Sequence, residues 1–83
     1  MNHVSIIGHL TTAPQKIEDD KRLLYIQTRQ HSIESNTKLT THKVIVHGRY
    51  VPIVDAFGTH LYDVAIEGHL EDGVVIVSDL IAL

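Results

Sequence analysis

Apolar and polar residues alternate along most of this chain, with the two-residue period of a β-strand. In residues 22–31 (RLLYIQTRQH), Leu24, Ile26 and Thr28 share one face of such a strand. Leu23, Tyr25, Gln27 and Arg29 share the other. Similar patterns predict four more strands, over residues 3–10, 40–47, 61–70 and from 74 to the end of the chain. We therefore predict an all-β chain of five strands.

The segments between these strands carry turn residues. Ala13-Pro14 ends the first strand, and residues 15–21 are polar and acidic with a turn at 18–21 (EDDK). Residues 32–39 include Ser35-Asn36-Thr37 and are predicted to form a hairpin loop. Asp72-Gly73 predicts a tight hairpin before the last strand.

One segment favours a helix instead of a strand. Residues 49–57 place Val51, Val54 and other apolar side chains at helical spacing, and Pro52 suits a first helical turn. Gly58 is a candidate for the helix C-cap. We predict a short helix between the third and fourth strands.

Two strands contain a glycine close to their ends. The first strand ends in Ile7-Gly8-His9-Leu10, and the fourth ends in Gly68-His69-Leu70. A glycine inside a strand marks a bulge or a sharp bend, as at the corners of a small barrel. Together with the element order, these bends predict a five-stranded Greek-key OB-fold barrel with one short helix between strands 3 and 4.

Length and composition restrict the remaining choices. The 83 residues suit one domain, 1–83, whose modest core makes self-association a plausible source of stability. With no cysteine, the chain has no disulfide and no thiolate metal site. It has no signal-peptide pattern and no apolar run of about 20 residues, so we expect a cytoplasmic protein without a membrane partner.

Three segments resemble bacterial single-stranded DNA-binding proteins. Residues 3–10 resemble the first strand of that family, 41–48 (THKVIVHG) the third and 64–70 (VAIEGHL) the fourth. The resemblance implies a homo-oligomer, a dimer or tetramer, that binds single-stranded DNA with little sequence preference in replication, recombination or repair. Primosomal replication protein N, a divergent relative of comparable length, is the other candidate.

The resemblance also indicates which residues would contact the nucleic acid. On the third strand, Lys43 matches the basic residue of the family, while Thr41 and His47 occupy positions where the family has aromatic rings. Tyr25 and Arg29 lie on the outward face of the neighbouring second strand. Lys38, expected in the hairpin loop, is a further candidate for phosphate contact. The predicted nucleic-acid-binding residues are therefore Tyr25, Arg29, Lys38, Thr41, Lys43 and His47.

Other features favour a different function. The chain has seven Lys and Arg residues and ten Asp and Glu residues, which gives a formal charge of −3. It has no Trp for base stacking. The chain ends at 78–83 without the acidic tip that recruits partner proteins in the family, so we expect no recruitment of that kind. The alternative is a degenerate OB-fold module that assembles with replication proteins and binds DNA weakly.

Neither a metal site nor catalysis is expected. His9 and His69 follow corresponding glycines and could approach Asp63 or Glu67, but no compact ligand spacing is present and structural zinc prefers four ligands. No nucleophile motif or glycine-rich phosphate loop occurs either. We predict a binding protein that uses no cofactor and is not an enzyme.

Overall fold

The computed structural model describes residues 2–31, 37–57 and 63–83. Within these ranges it contains strands β1 (Val4–Leu10), β2 (Gln15–Glu18), β3 (Lys21–His31), β4 (Thr37–His47), β5 (Asp63–Glu71) and β6 (Val74–Ala82). Helix α1 (Tyr50–Phe57) lies between β4 and β5. No helix in these ranges is long and apolar enough to cross a membrane.

Five of the strands close into a barrel. The sheet order is β1-β5-β6-β4-β3-β2, and β1 pairs a second time with β3, where His9 lies opposite Gln27 and Leu10 opposite Ile26. The β4–β6 pairing is parallel, and the others are antiparallel. This arrangement confirms the predicted OB-fold barrel, with the helix between its third and fourth strands.

The alternation of apolar residues explains which faces meet inside the barrel. Leu24 and Ile26 of β3 and Val44 and Val46 of β4 are fully buried, as the sequence pattern predicts. The first residue of α1, Tyr50, is also buried and belongs to the same core. The residues that alternate with these buried ones along β3 and β4 face outward and are available to a ligand.

Two segments differ from the sequence-based expectations. Residues 15–18 form strand β2, which pairs antiparallel with β3, whereas we predicted an irregular polar segment. All four side chains of β2 are exposed, so it carries no alternating pattern that would reveal a strand. The third predicted strand begins at Thr37 instead of Thr40, so Lys38 lies in β4 and not in a loop.

Close backbone approach requires both glycines, and the predicted bulge is confirmed at Gly68. A Cβ at Gly8 would overlap the carbonyl oxygen of Gln27, because β1 crosses β3 there. A Cβ at Gly68 would overlap the carbonyl oxygen of Ile76, next to a register shift between β5 and β6 that marks a bulge.

The turn predictions agree with the structure where it can be compared. Asp72 and Gly73 have φ values of 52° and 79°, the left-handed pair that a tight hairpin requires. Pro52 lies in the first turn of α1. The predicted C-cap Gly58, the start of the fourth strand at 61–62, and residues 32–36 of the hairpin loop lie outside the described residues.

Candidate nucleic-acid interface

The outward faces of β3 and β4 form a ladder of five cross-strand pairs, which we call the β3–β4 strip. β3 and β4 pair without interruption along their whole length. They begin in the barrel wall and continue beyond it as a two-stranded ribbon. Directly opposed side chains on such a pair lie about 5 Å apart at their Cβ atoms and act together. The strip consists of the pairs Arg29–Leu39, Gln27–Thr41, Tyr25–Lys43, Leu23–Ile45 and Lys21–His47.

Tyr25 and Lys43 form the centre of the strip. They lie directly opposite each other, with Tyr25 half-buried and Lys43 exposed. An aromatic ring beside a lysine ammonium offers a base a surface to stack on and its phosphate a cation to pair with. Two of the residues predicted from sequence are therefore neighbours in the fold.

The next row of the strip is apolar. Leu23 lies opposite Ile45, and the parallel pairing of β4 with β6 places Ile76 beside Ile45. All three side chains are half-buried on the outside of the barrel. This row extends the surface available to a base, and the sequence did not reveal it because Ile76 meets Ile45 only through the β4–β6 pairing.

The remaining predicted residues lie on either side of this centre. Thr41 is opposite Gln27, and Arg29 is opposite Leu39 on the ribbon. His47 is four residues beyond Lys43 on the same face, about 13 Å away at the rise of an antiparallel strand. It is paired with Lys21, a cation that lies outside the predicted set.

Lys38 does not join the others. It lies opposite Gln30, one residue out of phase with the Arg29–Leu39 pair, so side-chain alternation directs it to the other side of the ribbon. Its side chain is exposed. The prediction that Lys38 lies in the hairpin loop is therefore wrong, because β4 continues through it and directs it away from the face that carries Lys43 and Arg29.

The strip is more cationic than the net charge of the chain suggests. Among the described residues, no carboxylate lies within 4.0 Å of the charged groups of Arg29 or Lys43. Lys21 forms a long ion pair with Glu18 at 3.7 Å. Glu71 lies at the β5 border of this surface, where it pairs with Val74. Local charge, not net charge, determines contact with phosphates.

Arg22 lies between two residues of the strip in the sequence, but its side chain holds parts of the fold together. Its Nε and Nη2 donate to Oδ1 and Oδ2 of Asp55 at 2.9 and 3.0 Å, which ties β3 to helix α1. Its Nη1 donates to backbone carbonyls of the β2–β3 turn, including that of Glu18 at 2.9 Å. With its donors engaged and its side chain 12% exposed, Arg22 is not available to phosphate.

The histidines considered for metal binding lie apart. The antiparallel register places His9 opposite Asp63 at one end of β5, whereas His69 lies six residues further along that strand, about 20 Å away. Within the described ranges, no group of three or more His, Asp or Glu side chains is arranged to hold a metal ion.

The fold resembles that of known single-stranded DNA-binding proteins. No protein-family model and no curated protein sequence matches the chain. One similar solved structure is a small single-stranded DNA binding protein from Mycoplasma pneumoniae, with a TM-score of 0.79 and 13% identity over 98% of this chain and 92% of that one. Another is the Plasmodium falciparum SSB complex with ssDNA, with a TM-score of 0.83 and 22% identity over 100% and 95% of the two chains. At these identities the likeness establishes a shared fold.

Proposed function

We propose that this protein binds single-stranded DNA along the β3–β4 strip, with little sequence preference. The observation that carries the proposal is the pairing of Tyr25 with Lys43 on an outward face that also presents Arg29. The shared barrel of the two single-stranded DNA-binding proteins supports it. We infer a non-enzymatic role in cytoplasmic replication, recombination or repair, carried out by one domain, 1–83. Among known families, we place the chain with bacterial single-stranded DNA-binding proteins, with primosomal replication protein N as the alternative relative.

Each side chain has a distinct part in this binding. Lys43 and Arg29 pair with phosphates, and His47 and Lys21 add donors at the other end of the strip. Tyr25 stacks on one base, a contact worth about 1–3 kcal/mol in proteins of this kind. Thr41 contributes a hydroxyl where a second ring would add stacking, so the affinity depends on phosphate contacts to an unusual degree. Lys38 approaches the single-stranded DNA from the other side of the β3–β4 ribbon.

Salt-dependent binding of fluorescent oligo-dT tests the proposal. The logarithm of the binding constant should fall linearly with the logarithm of the salt concentration, with a slope of about −0.7 per phosphate neutralised. Oligo-dA and oligo-dT of equal length should bind within about tenfold of each other, because stacking tolerates any base. Undetectable binding at 50 mM salt, a concentration chosen to favour phosphate contacts, would refute the proposal.

The second candidate function is a protein–protein module of a replication assembly. The presence of one ring on the strip and the acidic net charge favour it. This candidate predicts negligible oligo-dT binding at low salt, with substitutions on the strip leaving nucleic-acid affinity unchanged. The same titration therefore separates the two functions.

We further propose that the protein is a homo-oligomer, a dimer or tetramer. Ile7 is 70% exposed on the outside of β1, and Leu23 and Ile45 contribute a second apolar row on the strip. A barrel of this size would rarely leave both surfaces in water. Sedimentation at tens of micromolar should show a mass above that of the 9.3 kDa chain, and a monomer at that concentration would contradict self-association.

A further inference from the structure

The outward faces of β1, β5 and β6 form a second surface, which we call the β1–β5–β6 face. Its central row is apolar, since Ile7 lies opposite Ala65 and Ala65 opposite Ile81. Ile7 and Ile81 are 70% and 57% exposed, the highest values among large apolar side chains of the strands in the described residues. The row lies in a shallow groove whose walls include Ser5, Glu67 and Asp79.

Carboxylates border this apolar row on both sides. Glu67 lies opposite Asp79 on one side, and Asp63 lies opposite His9 on the other. Like charges directly opposed across two strands destabilise a sheet, so the Glu67–Asp79 pair is unfavourable in the isolated protein. No lysine or arginine of the described residues lies within 4.0 Å of these three carboxylates.

The position of Asp79 is held by the structure. Its Oδ1 accepts the amide proton of Leu80 at 2.9 Å and lies 3.1 Å from the hydroxyl oxygen of Tyr50. Arg49 donates to that hydroxyl at 2.8 Å and reaches the aspartate only through it. Near Glu67, Nε2 of the His3 imidazole lies 4.0 Å from Oε1 of the carboxylate. Both carboxylates thus retain capacity for an external cation.

The β3–β4 strip carries the complementary pattern. Its apolar row, Leu23–Ile45–Ile76, has the Tyr25–Lys43 row on one side and the Lys21–His47 row on the other. The two cationic rows are four residues apart along β4. The two acidic rows are also four residues apart, from Asp63 to Glu67 along β5, so both spacings are about 13 Å. Rows of one surface can therefore be superimposed on rows of the other.

We propose that the β1–β5–β6 face of one copy packs on the β3–β4 strip of a second copy, apolar row against apolar row. The Tyr25–Lys43 row then meets the Glu67–Asp79 row, and the Lys21–His47 row meets the Asp63–His9 row, so lysines of the strip lie against carboxylates of the face. The contact is heterologous, because packing like surfaces together would place carboxylates on carboxylates or lysines on lysines. Each pair leaves one face and one strip unoccupied at its ends, so association continues past a dimer until a ring such as a tetramer closes.

This contact would hide the proposed DNA-binding residues. Tyr25 and Lys43 cannot hold a nucleic acid and a second copy at the same time, so single-stranded DNA and self-association compete. This consequence rests on the proposed function, whereas the contact between copies does not. Oligo-dT should therefore dissociate the assembly of the wild-type protein.

Charge reversal on each surface tests the contact. Glu67→Lys reverses the face, and Lys43→Glu reverses the strip. Both sites are exposed, so neither substitution disturbs the core. Each variant alone should raise the dissociation constant for self-association by about tenfold or more, because like charges are then opposed across the contact. A 1:1 mixture should associate again with the two variants alternating, since the native strip of Glu67→Lys fits the native face of Lys43→Glu and the two reversed surfaces fit each other.

Two further variants complete the experiment. The double variant Glu67→Lys/Lys43→Glu should recover self-association, because both surfaces are reversed together. Asp19→Lys, the same charge change at an exposed turn residue outside both surfaces, should associate like the wild type. The inference is overturned if either single variant associates like the wild type, or if the mixture and the double variant both stay monomeric.

Oligo-dT binding separates this inference from the proposed function. Glu67→Lys leaves the strip intact, so it should bind oligo-dT at least as tightly as the wild type, even where it no longer self-associates. If no variant binds oligo-dT but the charge-reversal pattern holds, the contact between copies stands and the DNA function fails. If oligo-dT binds the strip without reducing self-association, the competition between them is excluded.

Discussion

Replacing Tyr25 with alanine is expected to weaken oligo-dT binding by about 1–3 kcal/mol, the range measured for loss of one base–aromatic stack. This corresponds to roughly fivefold to more than a hundredfold in affinity. Because the ring releases few counterions, the salt dependence should remain close to that of the wild type. Fluorescence titrations at several salt concentrations provide both quantities.

Two comparison variants make this prediction specific. Tyr25→Phe keeps the ring and should bind nearly as well as the wild type. Lys43→Ala should weaken binding to all sequences similarly and reduce the steepness of the salt dependence by roughly 0.7, the loss of one phosphate contact. Equal affinities for Tyr25→Ala and the wild type would show that the nucleic acid does not use the centre of the strip.

Replacing Gly68 with alanine is expected to lower the free energy of unfolding by about 3 kcal/mol, the upper part of the range for inserting an atom into a packed site. The added methyl group would overlap the carbonyl oxygen of Ile76, a backbone atom that cannot rotate away. Relief requires β5 and β6 to separate at the bulge, which weakens the pairing on both sides. Urea denaturation followed by circular dichroism measures the loss.

Gly48→Ala is the matched control. Gly48 has a φ of 63° at the end of β4, and a Cβ there meets no atom within 4 Å. Its replacement should cost about 1 kcal/mol, the penalty for a left-handed conformation with a side chain. If the two alanine variants lose equal stability, close approach between strands is not what requires glycine at 68.

Features that depend on near neighbours in the chain could be predicted from the sequence. Alternation placed Leu24 and Val44 in the core because a strand directs every second side chain to the same face. Asp72-Gly73 specified its hairpin because two successive residues must adopt positive φ. Gly68 indicated a bulge, although its contact with Ile76 could not be foreseen.

Features that depend on strand pairing could not be predicted in this way. Strand β2 exists because its backbone pairs with β3, and its exposed side chains carry no signal of that pairing. The continuation of β4 to Thr37 moved Lys38 to the other side of the ribbon, since one residue of register reverses the face of a side chain. Similarly, Arg22 is not available to phosphate because it binds Asp55, which lies 33 residues away in the chain.

The sequence by itself determined the all-β class, the five barrel strands, the helix position and the outward direction of Tyr25 and Lys43, because these follow from local periodicity and turn chemistry. Only the tertiary structure decided that Tyr25 lies opposite Lys43, and that Ile7, Ala65 and Ile81 form one row between carboxylates. The physical reason is that a binding surface on a sheet is assembled across strands. The register between distant segments decides which side chains lie side by side on that surface, and no local pattern encodes that register.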